Sequence, residues 1–151
     1  MKSIIILNFL VALIMFSSCG KKKARVKAEE NDADIVSYLA ENNITATKTE
    51  SGLYYVIDST TTGNKPSSNA YVTVAYKGYY LDKTVFDESS SNGTSFNLQS
   101  VIAGWTEGIP YFPEGAKGKL FIPAHLGYGL KDYNDIPGGS VLIFDIHLIE
   151  I

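Results

Sequence analysis

Apolar and polar residues alternate along most of the chain beyond residue 50, and this alternation predicts β-strands. The clearest case is residues 71–80, where Val72, Val74 and Tyr76 fall on one face and small or polar side chains fall on the other. The predicted strands are residues 52–57, 71–80, 84–87, 95–98, 118–123 and 140–149. Turn-forming residues separate them, and no internal repeat is present.

One short segment among the strands, residues 101–108, has helical spacing instead. Val101, Ile102 and Trp105 occupy positions i, i+1 and i+4, which gives a helix of about two turns one apolar face. Because so short a helix is unstable without tertiary packing, we expect it to lie on the sheet and enclose Trp105, the only tryptophan. A tryptophan in this position can also be an ordinary core residue.

A second helix is predicted before the strands, at residues 31–43. Asn31 or Asp32 can cap its N-terminus, and Asn42 and Asn43 are a plausible stop. Its apolar stripe consists of Ile35, Val36 and Leu39. The pattern leaves open whether this helix docks on the sheet, acts as a spacer or mediates self-association.

The first 18 residues have the pattern of a signal peptide, with Lys2 followed by a nearly unbroken apolar run. Cys19 comes next and is the only cysteine, so it cannot form a disulfide within the chain and has no second cysteine with which to bind a metal. This stretch resembles a bacterial lipoprotein signal, which implies that Cys19 is lipidated and becomes the mature N-terminus. The alternative is an ordinary secretory signal followed by an incidental cysteine.

Charge separates the segment after Cys19 from the rest of the chain. Five basic residues fall within positions 21–27, whereas all sixteen acidic residues lie beyond residue 28 against seven of the thirteen basic ones. We interpret residues 19–30 as a lipidated basic linker whose charge adds attraction to anionic headgroups. The acidic body argues against nucleic acid as a partner.

The chain lacks the sequence motifs of most enzyme classes. It has no nucleophile elbow, phosphate-binding loop, His-Glu-x-x-His helix or paired-cysteine site. His147 lies in alternating strand sequence, where we expect it to face solvent, and His125 begins a loop; neither is expected to act as a metal ligand or general base. We therefore expect no metal and no cofactor. Any reaction must depend on shape and desolvation more than on proton transfer.

Six ordered motifs carry a resemblance to a known family. They are Ala75-Tyr76-Lys77-Gly78, Val85-Phe86-Asp87, Phe96-Asn97-Leu98, the segment from Val101 to Gly108, Ile122-Pro123 with Gly127-Tyr128-Gly129, and Ile136-Pro137 followed by Leu142 to Ile146. Their order and spacing resemble the FK506-binding-protein (FKBP) family of peptidyl-prolyl cis/trans isomerases, in a lipoprotein member. The family implies an α+β fold in which a strongly twisted antiparallel sheet wraps around one short helix. Residues 51–151 would form this domain, and residues 31–50 the N-terminal helix and its connector.

The resemblance also implies a site between the short helix and the sheet. The matching catalytic positions are Tyr76, Phe86, Asp87, Trp105, Tyr128 and Phe144, and the matching substrate-binding positions are Val101, Ile102 and Ile136. In the family, the backbone N–H at the position of Ile102 and the hydroxyl at that of Tyr128 bind ligand carbonyls. The chain departs from well-studied members at Thr94, where an aromatic residue is common, and at Gly138, where a second proline is common.

The resemblance implies that proline-containing polypeptides are the substrates and that exported proteins of the cell envelope are assisted in folding. A non-catalytic peptide-binding or chaperone module on the same fold is the alternative, because a fold does not fix a function. A structural lipoprotein that self-associates through residues 31–43 is a third possibility.

Overall fold

The computed structural model describes residues 2–59 and 61–151, with side chains from Gly20 onward. Two α-helices and seven β-strands are present in this part of the chain. They are α1 (Lys2–Glu41), β1 (Thr47–Lys48), β2 (Tyr54–Ser59), β3 (Tyr71–Tyr79), β4 (Val85–Glu88), β5 (Thr94–Asn97), α2 (Ala103–Gly108), β6 (Lys117–Ile122) and β7 (Leu142–Glu150). Three 3₁₀ turns lie at Leu98–Ser100, Ile109–Tyr111 and Ala124–Leu126.

The strands form one antiparallel sheet in the order β1-β2-β6-β7-β3-β4, with β5 also paired to β3. This arrangement confirms the predicted α+β class, an antiparallel sheet with one short helix and a preceding N-terminal helix. All six predicted strands are present, with ends that differ by one or two residues. The short β1 was not predicted.

Alternation along the central strands divides the core into two layers. Leu120 and Phe144 belong to a cluster that also holds Trp105 of α2, whereas their neighbours Phe121 and Ile143 belong to a second cluster that holds residues of α1. Because successive residues of a strand point to opposite faces, α2 and α1 cover opposite faces of the same sheet. The sheet is therefore buried on both sides at its centre.

Helix α1 differs from the prediction at its N-terminal end. It continues through residues 19–30, which were predicted to be a linker, so neither Asn31 nor Asp32 caps a helix. The segment is rich in good helix formers and carries ion pairs from Arg25 to Glu29 and from Lys27 to Glu30, one helical turn apart. The predicted stop is confirmed, since α1 ends at Glu41 and Asn43 has a positive φ of 54°.

The apolar stripe of α1 was partly misassigned. Ile35 and Leu39 are buried as predicted, but Val36 is 50% exposed and Tyr38 is buried in its place. Tyr38 packs on Phe121 of β6, with ring centroids 6.0 Å apart. Helix α1 thus docks on the sheet, one of the three roles that the sequence left open.

The start of α2 also differs from the prediction. Val101 and Ile102 have extended backbone angles and precede the helix, which begins at Ala103. Ile102 occupies the N-cap position, and its carbonyl accepts the N–H groups of Trp105 and Thr106. The apolar face predicted for residues 101–105 is therefore formed by an extended entry segment and the first helical turn.

The predicted signal peptide and the side chain of Cys19 lie outside the residues whose side chains are described. Within the described part of the chain, no helix combines the length and the apolar character that a membrane crossing requires.

Candidate active site

Helix α2 places Trp105 between itself and the sheet, where only 5% of the residue is exposed. Two glycines on the same side of the helix allow this close approach. A Cβ atom at Gly104 would lie 2.6 Å from Cγ2 of Ile122, and one at Gly108 would lie 2.7 Å from Cδ2 of Leu120. Both distances are too short for a real side chain, so glycine is required for α2 to lie this close to β6.

Aromatic rings surround Trp105 in edge-to-face contacts. Tyr76 and Phe144 lie with ring centroids 5.0 and 5.1 Å from that of Trp105, at interplanar angles of 84° and 85°. Phe86 stands at 90° to Phe144, with centroids 5.5 Å apart. Edge-to-face pairs at these distances are favourable beyond their buried area, so the rings hold one another in a fixed arrangement.

These rings form the floor and walls of a cavity of about 440 Å³ that is open on one side. Eight of the nine sequence-predicted site residues line it: Tyr76, Phe86, Asp87, Val101, Ile102, Trp105, Tyr128 and Phe144. Its size lies in the range typical of small-ligand sites. The lining is mostly apolar, with polar groups at the rim.

Ile136 is the predicted residue that the structure does not place on the cavity lining. It is half-buried and packs against the core cluster. Its backbone pairs with that of Tyr133 through two hydrogen bonds of 2.9 Å, and Tyr133 lies at the cavity in its place.

Four further residues line the cavity that the predicted site did not include, namely Thr94, Phe96, Ser100 and Tyr133. Phe96 could have been found, because it belongs to the recognised motif Phe96-Asn97-Leu98. Its ring centroid lies 5.4 Å from that of Trp105. Tyr133 lies in an irregular loop with no periodic pattern, so no sequence signal placed it here.

The polar rim of the cavity centres on Tyr76 and Asp87. The Tyr76 hydroxyl donates a hydrogen bond of 2.8 Å to Oδ2 of Asp87. Burial and this interaction with Asp87 raise the pKa of Tyr76 to about 12. The phenol therefore stays protonated and bonded to Asp87 at neutral pH.

Tyr128 and Tyr133 form another part of the rim. Their rings are stacked, with centroids 4.7 Å apart and an interplanar angle of 14°. Burial is the largest influence on Tyr128 and raises the pKa of its hydroxyl, with smaller contributions from Tyr133 and Asp87. Its hydroxyl is a neutral donor at the mouth of the cavity.

Two N–H groups near the cavity have no hydrogen-bond partner among the described residues. Within the described residues, the backbone N–H of Ile102 forms no hydrogen bond. Nε1 of Trp105 is buried and likewise has no partner there. Ile102 is half-buried and lines the cavity, so its N–H is a candidate donor to a ligand carbonyl.

Neither histidine lines the cavity. Nε2 of His125 lies 2.8 Å from the carbonyl oxygen of Ser51, on the connector before β2. His147 is half-buried rather than solvent-facing as predicted, and burial together with nearby Lys117 lowers its pKa. The residues at the cavity thus offer shape, apolar surface and hydrogen-bond donors, and no histidine for proton transfer.

Comparisons with known proteins find similarity over most of the chain. Residues 62–149, more than half of the chain, match the family model described as FKBP-type peptidyl-prolyl cis-trans isomerase. The chain is 42% identical over 135 residues to the FKBP-type peptidyl-prolyl cis-trans isomerase FkpA of Aeromonas hydrophila, covering 87% of this chain and 50% of that protein. It is 39% identical over 130 residues to the outer membrane protein MIP of Legionella longbeachae, covering 83% of this chain and 56% of that protein.

A solved structure shows the same fold. The crystal structure of FkpA from Escherichia coli matches with a TM-score of 0.72 and 31% identity, over 97% of this chain and 70% of that one. The chain spans about half the length of the curated relatives it matches. The matched segment includes every residue that lines the cavity. This chain belongs to the FKBP-type peptidyl-prolyl cis-trans isomerase family.

Proposed function

We propose that this chain is a peptidyl-prolyl cis/trans isomerase that assists the folding of exported proteins in the bacterial cell envelope. The observation that carries the proposal is the cavity floored by Trp105 and walled by Tyr76, Phe86 and Phe144. A pocket of this size and apolar character suits a proline ring. The family membership supports the same activity.

The chemistry of the reaction fits such a pocket. Rotation about an X–Pro bond removes the resonance between nitrogen and carbonyl, which is the main part of a barrier of about 18–20 kcal/mol. The twisted amide is less polar at these atoms than the planar one, so it loses less on transfer from water to an apolar cavity. Preferential binding of the twisted form lowers the barrier without any proton transfer.

We assign the roles of the lining residues on this basis. Trp105 supports the proline ring from below, and Tyr76, Phe86 and Phe144 enclose it laterally. The N–H of Ile102 and the hydroxyl of Tyr128 hold substrate carbonyls on either side of the rotating bond. Val101 contributes apolar surface beside Ile102.

Asp87 has an indirect role in this scheme. As the acceptor for the Tyr76 hydroxyl, it keeps that ring at one orientation in the wall. It also places a carboxylate at the mouth of the cavity, where it can accept a hydrogen bond from a substrate N–H. Ile136 acts by fixing the loop that it shares with Tyr133 to the core cluster.

The location is proposed from the N-terminal sequence. The signal-peptide pattern of residues 1–18 and the lipoprotein-like Cys19 support export and attachment of a lipid, and the basic residues of positions 21–27 support contact with anionic headgroups. The relative named outer membrane protein MIP supports an envelope location. The lipid on Cys19 would thus attach the protein to the membrane, which is its proposed partner.

The deciding experiment is a proline-limited refolding assay. Uncatalysed isomerisation takes tens to hundreds of seconds, so a substoichiometric amount of the full chain should shorten this slow phase visibly. Trp105→Leu tests the site, and Tyr71→Ala, at an exposed position away from the cavity, is the matched control. If the folded chain binds proline peptides but leaves the slow phase unchanged, it is a non-catalytic binding module and the proposed activity is wrong.

A further inference from the structure

Asn31 is the only buried polar or charged residue among the described residues, with 2% of its surface exposed. It lies in the C-terminal part of α1, where its side chain faces the sheet domain and not solvent. Both ends of its amide are bonded to backbone far along the chain. Oδ1 accepts the N–H of Ala124 at 2.9 Å, and Nδ2 donates to the carbonyl of Gly139 at 3.1 Å.

The two backbone groups that Asn31 binds mark the two ends of one loop. Ala124 begins the 3₁₀ turn that follows β6, and Gly139 lies just before β7. The first N–H of such a turn has no partner within the turn, so it requires an acceptor from elsewhere. Asn31 supplies it from 93 residues away in the sequence.

A second set of bonds ties the same two residues together from inside the loop. The N–H of Gly129 donates to the carbonyl of Ala124, and the N–H of Gly139 donates to the carbonyl of Gly129, both at 2.8 Å. Asn31, Ala124, Gly129 and Gly139 therefore form a closed hydrogen-bond circuit, called here the Asn31 circuit. Tyr128, whose hydroxyl stands at the cavity mouth, immediately precedes Gly129.

The surroundings of the circuit add to its rigidity. Gly139 has a φ of +83°, and a Cβ there would lie 3.1 Å from Cε of Lys27, so the aliphatic stem of this lysine packs directly over the glycine. Within the loop, Oδ1 of Asp132 accepts the N–H of Gly138 at 2.8 Å. The stacked pair Tyr128 and Tyr133 lies between these fixed points.

We propose that Asn31 is a positioning residue for the isomerase site, through which α1 fixes the loop that carries Tyr128 and Tyr133. The inference rests on the proposed function, because it assigns the loop a part in substrate binding. It makes α1 a support of the cavity wall in addition to a connection toward the N-terminus. A substitution at Asn31 should then loosen the loop and displace the Tyr128 hydroxyl, although Asn31 lies in α1, outside the loop, and touches no substrate.

The test compares Asn31→Leu with Leu39→Ala in the full chain. Leucine matches asparagine in size and removes both hydrogen bonds, whereas Leu39 is buried in the same helix but takes no part in the circuit. We expect Asn31→Leu to accelerate amide hydrogen exchange in residues 124–139 by about tenfold or more, and Leu39→Ala to leave that segment unchanged. Equal exchange in wild type and Asn31→Leu, or equal acceleration by Leu39→Ala, overturns the proposal.

A kinetic arm asks whether the circuit acts through Tyr128. We expect kcat/KM in the refolding assay to fall about tenfold for Asn31→Leu, and Tyr128→Phe to cost less in that background than in wild type. Fully additive losses contradict action through Tyr128. If wild type itself does not accelerate refolding, the proposed function fails, while the exchange measurement still decides the role of Asn31.

A second variant covers the case in which Asn31→Leu does not fold. Asn31→Asp keeps an acceptor for the N–H of Ala124 and replaces the donor to Gly139 with a carboxylate oxygen, which repels that carbonyl. We expect it to accelerate exchange of the Gly139 end of the segment more than that of the Ala124 end. Uniform exchange along the segment, unchanged from wild type, rejects the proposal.

Discussion

Tyr76 of β3 donates its hydroxyl hydrogen to Asp87 of β4 across 2.8 Å, and this bond joins the aromatic wall of the cavity to its charged rim. The two strands are paired, with Gly78 opposite Asp87. A Cβ at Gly78 would lie 2.7 Å from Cζ of Phe86, so the glycine gives that ring room to pack beside the bond. The side chains of the rim are thus set by the pairing of β3 and β4.

The first prediction concerns the coupling of Tyr76 and Asp87. Tyr76→Phe and Asp87→Ala should each lower kcat/KM, because each frees the other side chain from its bonded orientation. The double variant should be only slightly worse than either single one, with a coupling of about 0.5–1.5 kcal/mol. Strictly additive losses in the refolding assay would show that the two residues act independently.

The second prediction concerns the hydroxyl of Tyr128. Tyr128→Phe should weaken binding of a proline peptide by roughly 0.5–1.5 kcal/mol, because it keeps the ring and removes one hydrogen bond to a substrate carbonyl. Tyr133→Phe is the matched control, since it removes a hydroxyl from the stacked neighbour and leaves the stacking intact. Calorimetric titration measures both, and equal affinities for Tyr128→Phe and wild type would make Tyr128 a structural residue.

The third prediction separates the stability and binding roles of Trp105. Trp105→Ala and Phe112→Ala each truncate a buried ring of the same core cluster, so each should lower the free energy of unfolding by about 3–5 kcal/mol. Only Trp105 lines the cavity, so only its variant should also lose peptide affinity under conditions where both variants are folded. Denaturant unfolding and titration provide the two measurements. Equal affinity of the two variants argues against Trp105 as the pocket floor.

The fourth prediction concerns pH. The pKa of Tyr76 is raised to about 12 and that of Tyr128 is raised as well, so both hydroxyls stay protonated and kcat/KM should be nearly flat between about pH 6 and 9. An inflection below the ordinary histidine pKa of about 6.5, where burial and Lys117 place the titration of His147, would instead require proton transfer if His147→Gln abolishes it. The imidazole of His147 would also have to act from outside the cavity, because His147 is not among the residues that line the cavity.

The same shift of Tyr76 has a consequence for stability at alkaline pH. Its pKa in the folded state lies above the ordinary tyrosine value of about 10, so its contribution to stability is full below that pH. The contribution is lost as the pH rises through about 12, because the unfolded chain then ionises more readily than the folded one. Tyr76→Phe should therefore reduce the alkaline loss of stability, which pH-dependent denaturant unfolding measures.

The fifth prediction concerns the anchor. Cys19→Ala should abolish partition into the detergent phase without changing the unfolding midpoint of the body, because α1 packs on the sheet through Ile35, Tyr38 and Leu39, far along the helix from residue 19. The control is Lys22→Ala, which keeps the cysteine and removes one basic residue. Equal partition of wild type and Cys19→Ala would exclude lipidation at this residue.

The sheet and most of the cavity could be predicted because they depend on short-range pattern. Alternation in β3 placed Val72 and Val74 in the core and Tyr76 on the same face, and both valines are buried in the structure with Tyr76 packed against their cluster. The resemblance then located eight cavity residues on strands and turns of regular spacing. Pairing of the strands in the correct register is then enough to bring these residues together around the cavity.

What could not be predicted depends on partners far away in the sequence. Asn31 has the local signature of a helix cap, but its partners are Ala124 and Gly139, which no local pattern connects to it. Tyr133 lines the cavity where Ile136 was predicted to do so, and the two residues are paired by a backbone bridge inside an irregular loop. Tertiary contacts override local preference at both points.

The two glycines of α2 show that the depth of the cavity comes at the expense of helix stability. Glycine in a helix is roughly 1 kcal/mol less favourable than alanine, so Gly104 and Gly108 weaken a helix of only six residues. Alanine at either position would strengthen the helix and, by striking Ile122 or Leu120, lift it from β6. Trp105 would rise with the helix and fill the space that a proline ring needs. At these two positions, the residue that keeps the cavity open for a substrate is therefore not the residue that gives the most stable helix.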